Sequence, residues 1–277
     1  MLVTEQAFAK INLALHVTGR RLDGYHELDS VVAFAGVCDV LTLQQAEETS
    51  LSLSGPFAKD LEGASNNSVL AAWHELAKLA EPKPVKFHLE KNLPIASGIG
   101  GGSADAAAAL RGLIKLFNLK IPTHDLTAIA LKLGADVPVC LASKTCRMQG
   151  IGETLSPIAT QLPKAIVLVN PLVPSPTTKV FETLRLKSGQ SHGSAIEDIT
   201  NINSWRNDLE HPAIKLLPEI AQVIATLKSQ PEIIGARMSG SGATCFGLVE
   251  NLEAAEFAAN AIISKSQGWW VKATSLR

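Results

Sequence analysis

Four glycines fall within five residues in the run Pro94-Ile95-Ala96-Ser97-Gly98-Ile99-Gly100-Gly101-Gly102-Ser103-Ala104-Asp105, set between a strand pattern and a helix pattern. Glycine reaches backbone conformations that a Cβ forbids, so such a run can turn its N–H groups inward, and the helix behind it adds the positive end of its dipole. Together they would cradle a phosphate. Two common phosphate motifs are excluded. No Lys follows the glycines as G-x-x-x-x-G-K-[ST] demands, and Asp105 stands where G-x-G-x-x-G needs its third glycine. The same run also reads as a tight strand-to-helix turn with Ser103 as N-cap, so the loop alone leaves both readings open.

Moving a phosphoryl group asks for a cation beside the developing charge and a carboxylate for the acceptor's proton, with little covalent work for the protein. Lys10 and Asp136 have these residue types. In AKINLALHV, Ile11, Leu13, Leu15 and Val17 alternate with Lys10, Asn12, Ala14 and His16, so Lys10 and Asn12 share one strand face. A lone Lys on a strand is ordinarily solvated. Asp136 precedes Val137-Pro138 and equally suits the cap of a helix.

Other residues carry two readings each. Tyr25, the one Tyr, is followed by His26 just after the Asp23-Gly24 turn signal; a stacking ring beside an imidazole can recognise a base, or the pair can be an ordinary ring contact. Phe181 falls at helical spacing with Val180 and Leu184 and by itself reads as core. Asn66, next to Asn67, reads as a helix cap. Ser103 and Asp105 can touch a phosphate or cap and charge a first turn, and Ser239-Gly240-Ser241-Gly242-Ala243 by itself is a hairpin turn.

The elements around these residues follow from periodicity. Strand patterns cover Ile11 to Val17, Ser30 to Leu43, a short SLSLSG segment and Val85 to Leu89; helical spacing links Val69, Ala72, Trp73, Leu76 and Leu79, then Ala107, Leu110, Leu113, Ile114 and Phe117 after a start at Ser103. Another helix runs from about Thr123 to Gly134. Residues 155–164 are short of periodicity and contain Pro, and the boundary between two domains is placed there. Beyond it the order is a strand (166–169), helical segments (about 177–187 and 207–228), strands (233–238 and 243–248), a helix (252–266) and a strand (269–275), which is the βαββαβ or ferredoxin-like arrangement.

Composition narrows the class. At 277 residues the chain exceeds one domain of about 100–150, and 46% apolar with 18% charged residues allows a sizeable core. Twenty-five Lys and Arg against 26 Asp and Glu give net charge −1 with no dense basic patch, which argues against nucleic acid. Apolar stretches are interrupted before about 18 residues, which argues against a membrane span, and the first 20 residues lack a signal-peptide pattern. A cytoplasmic protein is expected. Cys38, Cys140, Cys146 and Cys245 form no CxxC pair and read as buried thiols.

These runs, taken together, resemble the GHMP kinases. AFAKINLALHVTGRRLDGYHEL, PIASGIGGGSADAAAAL and RMSGSGATCFGL are similar to that superfamily's three motifs in their order, and GADVPVCL, NDLE at 207–210 and PTTKVFETL extend the likeness nearly end to end. It is least defined at about 44–64 and 186–200. Ala104 departs from the many relatives with a second Ser, at little consequence for a loop that works through its amides. AKINL with DGYHEL is similar to the members whose acceptor is a cytidine-diphosphate-linked methylerythritol.

The resemblance implies an α+β, two-domain fold: an ATP-binding, ribosomal-protein-S5-like domain over 1–157 and a ferredoxin-like βαββαβ domain over 158–277, with a cleft between them. It implies an ATP- and Mg²⁺-dependent small-molecule kinase, a monomer or weak homodimer with no nucleic-acid or membrane partner. Asp136 would take the proton of the acceptor hydroxyl, with Lys10 stabilising the developing charge and Asn12 holding substrate or phosphate. Tyr25 and Phe181 would sandwich cytosine, which His26 would hydrogen-bond. Pro94, Ala96, Ser97, Gly98, Ile99, Gly100, Gly101, Gly102, Ser103, Ala104 and Asp105 would hold the nucleotide phosphates and Asn66 would line the adenine pocket, while Ser239 and Gly240 would border the substrate. Alternatives are a GHMP kinase for homoserine, mevalonate or a sugar, against which DGYHEL speaks, and a non-catalytic nucleotide-binding protein of the same fold, against which Lys10 with Asp136 speaks.

Overall fold

The alternating opening run becomes β1 (Leu2–Arg20), which turns through Arg21–Tyr25 into β2 (His26–Gln45), with Arg21 N donating to Tyr25 O at 2.7 Å. The computed structural model describes residues 1–62, 67–80, 82–266 and 268–277. Asn66 lies outside the described residues. From Ala9 to Val17 both faces of β1 are buried, so Lys10, Asn12 and His16 lie in the interior and not on a solvated face. A charged side chain is taken out of water in this way only where partners compensate it.

The chain forms two compact units, each drawn from separate stretches of sequence. One comprises Met1–Ala9, Val37–Ile95 and Gly100–Ser143. In it β4 (Val85–Glu90) pairs antiparallel with the second half of β2 (Val40↔Glu90 to Gln45↔Val85), and β3 (Ser50–Ser54) runs parallel to β4. The glycine-rich run leads from β4 into α2 (Gly101–Phe117), which packs between α1 (Ser68–Ala80) and α4 (Val137–Ala142), with α3 (Thr123–Leu133) beside them. Buried small residues, Ala104 and Ala106 to Ala109, let these helices approach closely. The helix begins at Gly101, not at Ser103. Its N-cap is Gly100 in the left-handed region, which leaves Ser103 inside the first turn.

The other unit comprises Lys10–Gly36, Ala96–Ile99 and Lys144–Arg277. In it β5 (Cys146–Gly150) pairs with the first half of β2, and β6 (Thr154–Pro157) pairs with β5, so residues expected to be irregular begin as a strand ending at a proline. Then follow β7 (Ala165–Asn170), α5 (Thr177–Glu182), α6 (Glu210–Leu216), α7 (Glu219–Lys228), β8 (Gly235–Met238), β9 (Cys245–Val249), α8 (Leu252–Lys265) and β10 (Trp270–Ser275). The sheet is antiparallel in the order β10-β7-β9-β8, which fits the βαββαβ succession of elements read from the sequence. The helical segment expected over 207–228 is two helices, because Pro218 lacks the N–H that a continuous helix needs and instead opens α7. Ile220, Val223, Ile224 and Leu227 of α7 and Ala255, Ala258, Ala259 and Ile262 of α8 form the buried stripes that cover the sheet.

Among the described residues no helix is long and apolar enough to cross a membrane. Cys140, Cys146 and Cys245 are buried, as expected, whereas Cys38 is only half-buried.

Candidate active site

The front of the glycine-rich run is held by the SGSGA loop, which is the β8–β9 hairpin turn and also a clamp. Gly98 has φ +76, and a Cβ there would fall 2.5 Å from Ser239 O and 2.6 Å from Gly242 O. Gly240, at φ +55, meets the same wall from the other side, 2.6 Å from Gly98 O. Two backbones touch here, and only glycine fits at either point. Ser97 O accepts from Thr244 N at 3.0 Å and Ala96 O from Ser175 N at 3.0 Å, while Ser175 Oγ donates to Ser241 O at 2.7 Å. Gly98→Ala is therefore expected to lower the unfolding midpoint and to weaken nucleotide binding at least tenfold, measured by thermal melts and calorimetry, since both strain and overlap oppose the side chain. Unchanged nucleotide affinity would place the phosphates elsewhere.

The same unit brings Lys10 and Asn12 to this loop. Lys10 N donates to Ile99 O at 2.9 Å, and Asn12 N donates to Ser239 Oγ at 3.1 Å, whose hydroxyl donates onward to Gly98 O at 3.0 Å. Asn12 Nδ2 donates to Ser30 Oγ at 2.8 Å, and its Oδ1 is buried with no hydrogen-bond partner among the described residues. Such an acceptor is expensive to leave unused, which marks Oδ1 as a place for an incoming donor.

In the other unit the start of α2 rests on a buried ion cluster that sequence reasoning missed. Lys91 Nζ donates to Asp39 Oδ2 and, at 2.8 Å, to Asp105 Oδ2; Asp39 Oδ1 accepts from Asn92 N at 2.6 Å and Leu93 N at 2.8 Å. All three side chains are at most 3% exposed. A Cβ on Gly101 would lie 3.2 Å from Lys91 Nζ, so this cation sits beneath the first turn. Burial pushes the Asp105 carboxyl up to about 7; Lys91 opposes that rise and Asp39 adds to it. Burial disfavours the Lys91 charge, but Asp105 and Asp39 together outweigh it and hold the ammonium above its ordinary range. Asp105, expected at the phosphates, thus has one oxygen committed to Lys91, while Oδ1 is buried and unpartnered among the described residues. A signal was present: Val85, Phe87 and Leu89 are the buried face of β4, and Lys91 continues their period of two.

Asp136 belongs to this unit too. It holds the N-cap position of α4, but its side chain makes no capping hydrogen bond. It is half-buried, and a Cβ on nearby Gly134 would lie 3.8 Å from Ser103 Oγ, so the turn carrying Asp136 borders the first turn of α2.

His26 and Phe181 stack with centroids 4.8 Å apart and an interplanar angle of 30°. Tyr25 does not join them; its ring is exposed. Burial, then the Arg20 and His192 charges, hold the His26 imidazole below its ordinary value, which favours the neutral ring with one donor and one acceptor. Among the described residues no group of three or more His, Cys, Asp or Glu side chains is placed to hold a metal ion.

Comparison with known proteins adds to this geometry. The descriptions "GHMP kinases N terminal domain" and "GHMP kinases C terminal" match residues 67–144 and 187–266. A protein of Rhizobium etli (strain CIAT 652) named 4-diphosphocytidyl-2-C-methyl-D-erythritol kinase is 48% identical over 280 residues, covering 98% of this chain and 94% of its own. One of the same name from Cereibacter sphaeroides (strain ATCC 17029 / ATH 2.4.9) is 50% identical over 273 residues, covering 96% of each. A crystal structure of 4-(cytidine 5'-diphospho)-2C-methyl-D-erythritol kinase is similar with TM-score 0.82 at 32% identity over 99% of both chains. Homoserine kinase from Cytophaga hutchinsonii shares the fold, with TM-score 0.68 at 16% identity over 99% of this chain and 94% of that one.

Proposed function

The chain belongs to the GHMP kinases, and within them to the 4-diphosphocytidyl-2-C-methyl-D-erythritol kinase family, and on that premise we propose that it transfers the γ-phosphoryl group of ATP to the 2-hydroxyl of 4-diphosphocytidyl-2-C-methyl-D-erythritol, in the methylerythritol phosphate route to isoprenoids. The observation that carries the reading is the 48–50% identity, over nearly the whole of both chains, to proteins of that name.

The glycine-rich amides and the start of α2 bind the ATP phosphates, a role supported by Gly98's enforced backbone and by a helix N-terminus at Gly101. Asp136 takes the proton of the attacking hydroxyl and Lys10 stabilises the charge that develops. The orphaned Asn12 Oδ1 accepts from a substrate donor. His26 and Phe181 recognise the cytosine, and Tyr25, exposed in this structure, folds onto it from solvent. Asn66 contributes to the adenine pocket. Mg²⁺ would arrive with the phosphates of ATP and neutralise part of their charge. The ATP-binding domain is proposed over 1–157 and the second domain over 158–277; the matched stretches 67–144 and 187–266 fall one in each, although Lys10–Gly36, Ala96–Ile99 and residues 144–157 belong to the compact unit that contains the second. The protein works in the cytoplasm as a monomer or weak homodimer, in keeping with the absence, among the described residues, of a helix long and apolar enough to cross a membrane.

ADP release measured with 4-diphosphocytidyl-2-C-methyl-D-erythritol, homoserine, mevalonate and galactose tests this. Turnover of the first alone is expected, and preference for another overturns the assignment. With the cytidine substrate, Phe181→Ala is expected to raise KM by the equivalent of about 1–3 kcal/mol of stacking. An unchanged KM would remove Phe181 from base recognition.

A further inference from the structure

The NDLE run is the one motif of the likeness that this mechanism leaves without a role. Asn207 is buried, and its amide uses both N–H groups: Nδ2 donates to Met238 O at 2.8 Å and to Gly240 O at 2.9 Å. Its Oδ1 accepts from Leu209 N at 2.9 Å, opening α6. Glu210, three residues on, accepts from Met238 N at 2.9 Å. The carbonyls on either side of Ser239 are thus both fixed by Asn207.

Ser239 is the residue whose hydroxyl joins Asn12 N to Gly98 O. The NDLE run also grips β1 directly: Leu15 N donates to Arg206 O at 2.8 Å, Asp208 N to Leu15 O at 2.9 Å, and Val17 N to Asp208 Oδ2 at 2.8 Å. Arg206 and Asp208, on either side of Asn207, therefore brace the strand that carries Lys10 and Asn12, while the Asn207 amide reaches the clamp on the glycine loop.

We propose that Asn207 is a positioning residue for phosphoryl transfer, holding the Ser239 turn so that the glycine loop and the Lys10–Asn12 strand keep the spacing the reaction needs. This rests on the function proposed above. The Asn207 amide bonds only to the chain's own backbone, so its effect on the reaction runs through the Ser239 turn and is read in kcat with both KM values beside it.

The test compares Asn207→Ala, Asn207→Asp and Asp208→Ala with wild type in the full-length enzyme, reading kcat, both KM values and the unfolding midpoint. Asn207→Asp keeps the acceptor for Leu209 N but turns a carboxylate toward two carbonyls. Both Asn207 variants are expected to lose about a hundredfold in kcat, the scale of an ångström-level misplacement, with each KM within a few-fold of wild type. Asn207→Ala combined with Ser239→Ala should be no slower than the slower single variant, because the two act as one unit. Asp208→Ala should melt earlier and keep kcat within about twofold. The assignment is overturned if kcat survives in the Asn207 variants, or if Asn207→Ala and Asp208→Ala lose kcat in step with their midpoints. Should the alanine variant not fold, Asn207→Asp carries the test; failure of both to fold marks Asn207 as structural and also overturns it. Wild type separates the failures: if it does not turn over the cytidine substrate, the function itself falls, whereas an active wild type with an equally active Asn207→Asp removes only this role.

Discussion

Asp136→Asn is expected to leave nucleotide affinity and the unfolding midpoint nearly unchanged while lowering kcat by about a hundredfold or more, the range that positioned general bases supply. Two roles for this carboxylate make opposite forecasts. A helix cap tolerates Asn as well as Asp, so a capping Asp136 gives a fully active variant. The side chain stands at the cap position of α4 without making the capping bond, which frees the substitution from any stability loss through capping. Lys10→Met should match it in size, and the double variant should be little slower than either, since groups that act together are not additive. Single-turnover rates with saturating ATP decide the matter, and an active Asp136→Asn enzyme refutes the assignment.

Lys91→Met is expected to destabilise the protein by about 3–5 kcal/mol, because it leaves the Asp39 and Asp105 carboxylates buried without their cation. The loss should grow with pH. Asp105 carries the pH dependence: its carboxyl is raised to about 7 in the folded protein, so between about pH 4 and 7 the native state holds a proton that the unfolded chain has released. Its contribution to stability is therefore greatest at low pH and declines as pH rises through 7. Asp105→Asn should flatten that decline in urea-unfolding free energies taken from pH 5 to 8. A wild-type profile that rises over this range, or an Asn variant with the same slope, contradicts the picture.

What was legible in the sequence was local. The glycine-rich run announces itself because conformation forces residue type over a few positions, and the periodicities of α7, α8 and β7 state their burial directly. What was not legible is long-range. Gly98 needs to be glycine because of a carbonyl 141 residues away, and the buried amide of Asn207 reads as an ordinary polar residue until its two acceptors are seen. Residue preference offers Ser103 as a cap of α2, but the left-handed Gly100, one turn of chain earlier, takes that place. Lys91 lies between these cases: its register with Val85, Phe87 and Leu89 predicts burial, and only its partners needed the fold.

The central claim is transfer of one phosphoryl group to a cytidine-bearing acceptor, and product analysis by mass and by ³¹P resonance tests it most directly. With ATP and 4-diphosphocytidyl-2-C-methyl-D-erythritol, the acceptor should gain one phosphate in equimolar amount to the ADP formed. The new phosphomonoester should show no splitting from a proton on the ester carbon, because the 2-hydroxyl is tertiary. Methylerythritol 4-phosphate without the nucleotide should remain unchanged. ADP release with no phosphorylated acceptor, or equal turnover of the acceptor lacking cytidine, would contradict the account.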